Sequence, residues 1–431
     1  MNPKKAFSAS GTYVPDVYKT PKGKRRIPVT EHTNEYFVED KAPRKKVKAP
    51  PSHAKEKRRK GLTIGCVLRR TALVCVTVVI LLVYALFALC GAVANGPSPT
   101  VRNLLVLSAL QASATKWVPG LFLDDATVEQ ILADSKVIST DVMSLADYSS
   151  AQKQSGAEED GTECIDEWAN AQDGMLFETI SGSTYKAYVL IVRDPSRLFV
   201  GTSSDYKSGQ AGARIFDVAA REGAVAGINA GEFSDIGGTG TGDTPIGLTY
   251  SKGVCVWKDN YTWKTFIGFD KDNNLVVSEG MTQERADKLF IRDAVSFQTG
   301  NVLINHDGDN VHLHYADSNT GTAQRTAIGQ RADGAVILLV TDGRSASSLG
   351  ATHNDVIDIM VSYGAITAGM LDGGSSALMY YEDYYTKYDM DVSLLDQYQL
   401  KGLVNKYKAF TTPRRMPTFF MVTPEPVGLE G

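Results

Sequence analysis

Cysteine and histidine are scarce, with five of the first and six of the second in 431 residues. Three of the cysteines, Cys66, Cys75 and Cys90, lie in or beside one apolar stretch, which leaves Cys164 and Cys255 for the rest of the chain. No CxxC pair is present. An oxidising compartment permits a Cys164–Cys255 bond, and two unpaired thiols are an equal alternative. His312 and His314 are spaced to share one face of a strand but lack a third ligand of matching spacing, so a zinc site is not supported. The glycine-rich run Gly237–Gly247 does not fit G-x-G-x-x-G and lacks the Lys-Ser/Thr of a P-loop, so it reads as a flexible loop that Pro245 and Gly247 shape back into a strand. Ser375 and Ser376 are not in a G-x-S-x-G elbow, and no histidine can be named as their base. There is no internal repeat.

The near balance of charge hides an asymmetry. Residues 1–70 hold 19 Lys/Arg and 6 Asp/Glu, a net of +13, and the remaining residues carry a net of −17. Between tail and body lies Thr71–Val93, 23 residues without a charge. That is long enough to cross a hydrocarbon core of about 30 Å as a helix. A buried core helix would show a polar face, and a cleaved signal peptide would have a shorter apolar run and a shorter preceding region. Arg69, Arg70 and the Lys57-Arg58-Arg59-Lys60 run precede the span, which predicts a single pass with a cytoplasmic N-terminus and an extracytoplasmic body. Basic residues beside a span are an orientation signal or an anionic-lipid contact rather than a nucleic-acid site. Membrane lipid, met through residues 71–93, is therefore an expected partner and nucleic acid is not.

Residues 1–70 read as a basic, disordered cytoplasmic tail, 71–93 as the transmembrane helix, 94–174 as an extracytoplasmic stem, and 175–431 as the main domain. "AYVLIVRDP" and "AVILLVTDG" are buried strands. "IFDVAAREG" is a short helix closed by glycine. Turns at Ser251-Lys252-Gly253, Asp272-Asn273-Asn274, Thr299-Gly300 and Asp333-Gly334 separate apolar runs as hairpins. One clear helix begins at Thr352, with Asp355 three residues on, presents Val356, Ile359, Met360 and Tyr363 on one face, and stops at Gly364. "TFFMVTP" is a closing strand. The fold class is α+β, a mixed and largely antiparallel sheet domain with few helices, preceded by the single transmembrane helix.

Three strands end in polar, glycine-bearing turns: Asn229-Ala230-Gly231-Glu232, Thr341-Asp342-Gly343-Arg344 and Asp372-Gly373-Gly374-Ser375. An isolated Asp-Gly is usually only a turn. Together, the three supply carboxylates, an amide, an arginine and hydroxyls, an inventory suited to a sugar and a phosphate. The order of "GINAGEF", "TPIGLTYSKG", "RTAIGQRADGAVILLVTDGR" and "GATHNDVIDIMVSYGAITAGMLDGGSSALMY" resembles the phosphodiester glycosidase domain family, over about residues 175–424. That family includes the N-acetylglucosamine-1-phosphodiester alpha-N-acetylglucosaminidase "uncovering enzyme" and bacterial envelope proteins related to exopolysaccharide biosynthesis.

The resemblance implies a hydrolase that cleaves a sugar-1-phosphodiester at the glycosidic C–O bond, in cell-envelope or exopolysaccharide glycan. It implies a site lined by Asn229, Arg325, Thr341, Asp342, Gly343, Arg344, Asp372, Gly373, Gly374 and Ser375. Glu232 stands where the family usually has glycine, and either adds a carboxylate to the site or is a tolerated surface charge. Arg344 or Arg325 would bind the departing phosphate, and Asp342 or Asp372 would activate water or stabilise an oxocarbenium-like transition state. Asp342, Asp372 and Arg344 are thus the catalytic candidates, with the others binding substrate. The alternative is a non-catalytic glycan-binding or envelope-assembly module. No cofactor is firmly implied. Calcium stays open, because the acidic turn at Asp270 and Asp272 resembles both a calcium-loop fragment and an ordinary hairpin.

Overall fold

The computed structural model describes residues 64–110, 115–134, 138–155, 167–206, 211–235, 242–260, 264–316, 321–343, 348–405 and 412–427. The chain divides into two compact units, residues 1–69 and 70–431. Of the first, only the opening turns of the long helix Ile64–Ala94 are described. That helix contains the charge-free run. It is long and apolar enough to cross a membrane, and none of its most apolar window is buried. A core helix would hide such residues, so burial in protein is not what this segment is built for.

The most apolar strands lie at the centre of the largest sheet. Val336–Thr341 is buried at every position, and it pairs with Lys186–Val192 on one side and Thr326–Arg331 on the other. All pairings in this eight-stranded sheet are antiparallel. The order runs from Ile138–Ser144 through Asn310–Ala316, Val302–His306, Ala365–Leu371, Thr326–Arg331, Val336–Thr341 and Lys186–Val192 to Met175–Ser181. The expected hairpin turns carry the positive φ angles their geometry needs, at Lys252, Gly253, Asn273, Gly300 and Gly334.

The helix His353–Ser362 covers one face of the sheet. Its start is a complete capping box: Thr352 accepts from the Asp355 N–H, and Asp355 accepts from the Thr352 N–H. Met360 packs over Gly329, where an added Cβ would sit 2.8 Å from its sulfur. The other face meets two smaller sheets, a five-stranded one around Ile291–Phe297 and a four-stranded one containing Ala226–Asn229 and Thr418–Val422. Those two are joined by a buried pair. Asp293 accepts from the Val200 and Lys252 N–H groups, and Arg292 donates to Asp293, Leu198 and Pro195.

The fold is thus mixed α+β and largely antiparallel, with few helices and one long apolar helix before them. The segment expected as a stem does more than link. Ile138–Ser144 adds an edge strand along Asn310–Ala316. In the following helix, Tyr148 is 2% exposed and its hydroxyl donates to the Ala365 carbonyl at 2.7 Å. Residues 138–148 are therefore integral to the core that begins again at Met175. Replacing Tyr148 by Ala should cost about 3–5 kcal/mol. Tyr148→Phe, which strands one buried carbonyl, should cost about 1 kcal/mol. Urea unfolding of residues 94–431 measures both. Values within error of wild type would show that the segment is a separate stem.

Candidate functional site

Thr326 pairs with Val340 on one side and Leu371 on the other. The two outer strands therefore run parallel to each other and both finish beside Arg325. With strands about 4.8 Å apart, the turns at Asp342 and Asp372 lie about 10 Å from each other at one end of the sheet. A third strand end, Asn229, arrives from the four-stranded sheet. Its carboxamide is fully buried. The nitrogen donates to the Asp372 carbonyl, and the oxygen accepts from the Thr326 hydroxyl at 2.8 Å and the Leu378 N–H at 3.0 Å. The Ala230 carbonyl accepts from the Asp372 N–H as well.

Around Asp372 the side chains alternate in charge. Arg414 donates to the Ser376 hydroxyl at 3.1 Å and to Asp235 at 2.6 Å, and its guanidinium lies over the Phe233 ring. Lys264 donates to Glu232 at 2.6 Å, a pair mostly withdrawn from solvent. Asp372 keeps only partial solvent access. The loss of water around it pushes its carboxyl up to about 6, and the nearby Glu232 charge pushes the same way. The Ser376 hydroxyl, Arg414 and the Gly373 N–H pull in the other direction and do not prevail. A carboxyl held near pH 6 exchanges a proton readily at neutral pH.

The glycines here serve the backbone. A Cβ on Gly373 would meet the Gln324 carbonyl oxygen at 2.7 Å, and Gly374 has a φ of +61° while its N–H donates to that same oxygen. Ser375 is exposed beside the cluster, and the hydroxyl that reaches Asp372 belongs to Ser376.

The Asp342 side has other partners. Tyr188 donates to the Asp342 carboxylate at 2.8 Å. Thr341 is buried, and its hydroxyl accepts from the Arg325 N–H. The Arg325 guanidinium donates to the Gly321 and Ala351 carbonyls. Gly343 abuts Gln324. Arg344 and Cys164 lie outside the described residues.

His312 and His314 share a strand face as their spacing predicts. His312 bonds Asp307, and His314 bonds Thr140 and Asn305. Asp270 accepts from the Asp272 and Asn274 N–H groups within its own turn. Among the described residues no group of three or more His, Cys, Asp or Glu is arranged to hold a metal ion. Arg414, Lys264 and Asp235 were not indicated by any motif, and Thr326 lies in a quoted motif without having been singled out.

Residues 222–423 match the family model described as phosphodiester glycosidase. Over that stretch, just under half of its length, the chain is similar to a phosphodiester glycosidase domain. The Asn229, Glu232, Asp372 and Arg414 turns all fall within it. Beyond the family model, the chain is 30% identical over 132 residues to the SPbeta prophage-derived uncharacterized protein YomE of Bacillus subtilis (strain 168). That match takes in 31% of this chain and 19% of the other, so the chain spans about a fifth of that relative. Among solved structures, it is similar to the zebrafish N-acetylglucosamine-1-phosphodiester alpha-N-acetylglucosaminidase catalytic domain auto-inhibited by pro-peptide. There the identity is 16%, the coverage 59% of this chain and 85% of the other, and the TM-score 0.43. A protein of Burkholderia pseudomallei K96243 shares 15% identity over 56% of this chain and 74% of its own, with a TM-score of 0.37.

The raised Asp372 carboxyl has a consequence for stability. Between its ordinary value of 3.8 and about 6, the folded state binds more protons than the unfolded. Stability contributed by this group therefore falls as pH rises through that window and stays low above it. Asp372→Asn cannot ionise. The variant should melt higher than wild type at pH 7, with the gap closing toward pH 4. Scanning fluorimetry across that range measures it, and a variant less stable at pH 7 would contradict the assigned environment.

Proposed function

We propose that this domain hydrolyses a sugar-1-phosphodiester, breaking the bond between the anomeric carbon and the phosphate oxygen. The observation that carries the reading is Asp372. Its carboxyl is held near pH 6 on a glycine turn, with the Glu232 carboxylate and the Arg414 guanidinium acting on it, inside the stretch similar to a phosphodiester glycosidase domain. A phosphodiester leaves an anomeric carbon readily, so little acid assistance is needed. Asp372 supplies the proton transfer, toward the leaving oxygen or from the attacking water. Glu232, positioned by Lys264, faces the positive charge that develops on the sugar ring. Arg414 and Lys264 compensate the charge released on the phosphate.

In this reading Asn229, Gly373 and Gly374 shape the backbone of the site, and Ser375 donates at its mouth. Thr341, Gly343 and Arg325 hold the neighbouring turn. Asp342, held by the Tyr188 hydroxyl, faces the alcohol side of the diester, and Arg344 is a further candidate for binding the phosphate. The substrate is a carbohydrate phosphodiester of cell-envelope or exopolysaccharide glycan. The chain is anchored through residues 71–93, with the tail cytoplasmic and the domain outside.

The test is release of sugar from a sugar-1-phosphodiester of a chromogenic alcohol. Asp372→Asn should lower turnover at least about a hundredfold. Arg414→Lys, which keeps charge and loses the planar fork, should lower kcat/KM about tenfold or more. Binding of the diester without release of sugar would make this a glycan-binding module. Wild-type turnover in both variants would move the chemistry away from Asp372.

A further inference from the structure

The apolar helix does not leave the domain as a bare tether. After its last residue, Ala94, the chain turns within four residues, and the Ser98 hydroxyl accepts from the Val101 N–H at the start of the helix Pro99–Leu110. That helix and Asp125–Asp134 pack together through Val106, Leu107 and Ile131, forming a small collar. From the collar, Phe122 reaches back to the apolar helix. Its ring lies 4.8 Å from that of Phe87, and a Cβ on Gly91 would touch it at 3.3 Å. Phe87 and Gly91, four residues apart, share a helix face. Both sit in roughly the last 10 Å of a charge-free run roughly 35 Å long, against a hydrocarbon core of about 30 Å. Phe122 is therefore packed where hydrocarbon gives way to headgroups. Beside it, Trp117 is 64% exposed and Leu121 50%, with Lys116 next in sequence. An exposed Trp flanked by a cation and set at this depth is the chemistry of an interfacial anchor.

The collar also grips the site. Ser108 accepts from the Thr322 N–H at 3.1 Å, and Gly321 lies so close that a Cβ there would clash with the Ser108 N–H. The Gly321 carbonyl holds Arg325, and the Gln324 carbonyl holds the Gly374 N–H. Only a few residues, on the order of 14 Å of extended chain, separate the collar from the Asp372 turn.

We propose that residues 116–122 seat in the leaflet on the domain side, and that this holds the Asp372 end of the sheet at the bilayer surface. There it takes a sugar phosphodiester whose alcohol is anchored in the membrane, in preference to one free in solution. The inference rests on the anchoring and glycosidase readings above, so one arm of its test does not depend on turnover. The full chain is reconstituted in phosphatidylcholine vesicles whose acyl chains carry bromine, a short-range quencher of tryptophan. Trp117 should supply most of the quenched emission, and Trp117→Phe should remove at least half of it. Equal quenching in wild type and Trp117→Phe would overturn the proposal, whether or not the enzyme turns over. Release of the chain by alkaline carbonate would overturn it through the anchor. In the second arm, the Trp117→Glu/Leu121→Glu double variant should lose about tenfold on a dialkyl-chain sugar phosphodiester in those vesicles while keeping its rate on a short-chain soluble ester. Equal loss on both, or loss on neither, would overturn the surface preference. If wild type cleaves neither ester, the glycosidase reading fails, and the quenching result alone decides the seat.

Discussion

One buried carboxamide ties the architecture to the site. Asn229 belongs to the four-stranded sheet, but its side chain is used up on the eight-stranded one and on the turns between them. It holds the Asp372 carbonyl, the Thr326 hydroxyl and the Leu378 N–H at once. The Thr326 and Leu378 bonds are buried, and leaving either unmade costs about 1–3 kcal/mol. The two sheets can therefore approach in only one register here. That register decides where the Asp372 turn lies relative to the Glu232 charge.

The charges around this stitch explain why a carboxyl can stay near pH 6 without destroying the fold. Asp372 loses hydration because the sheets close around it, and Glu232 adds repulsion. Arg414 is the compensating cation, but it is shared with Asp235, and Lys264 is committed to Glu232. Among the described residues no cation is given wholly to Asp372. The result is a group kept at intermediate protonation, which is costly for stability and useful for proton transfer. The Arg292–Asp293 pair behaves differently. Its charges are held by backbone groups and by each other, with the Arg292 Nε left over, and it joins two sheets.

Much of the fold was legible in local patterns because the physics there is local. The Thr352 capping box, the Gly223 and Gly364 stops and the positive-φ hairpin turns each depend on a few consecutive residues. The continuous apolar runs announce central strands for the same reason. Ile138–Ser144 carries no such signal. "ISTDVMS" has neither a continuous apolar run nor clean alternation, and it is a strand because Asn310–Ala316 offers it an unpaired edge. Asp372, Glu232 and Asn229 stood out as polar groups on glycine turns. Arg414 did not, since it lies 179 residues from its partner Asp235 in a stretch with no local pattern.

The sequence alone determined the charge-free span, the basic tail before it, the antiparallel α+β character and the three polar strand ends. These follow from composition, period and turn chemistry, which neighbouring residues settle among themselves. Only the tertiary structure decided which strand ends share a site, that Asn229 spends its amide on backbone, that Ser376 rather than Ser375 reaches Asp372, and that Arg414 and Lys264 supply the cations. Those outcomes depend on which distant strands pair and in what register. They depend also on burial, which raises the energy of a charge only once the sheets have closed around it.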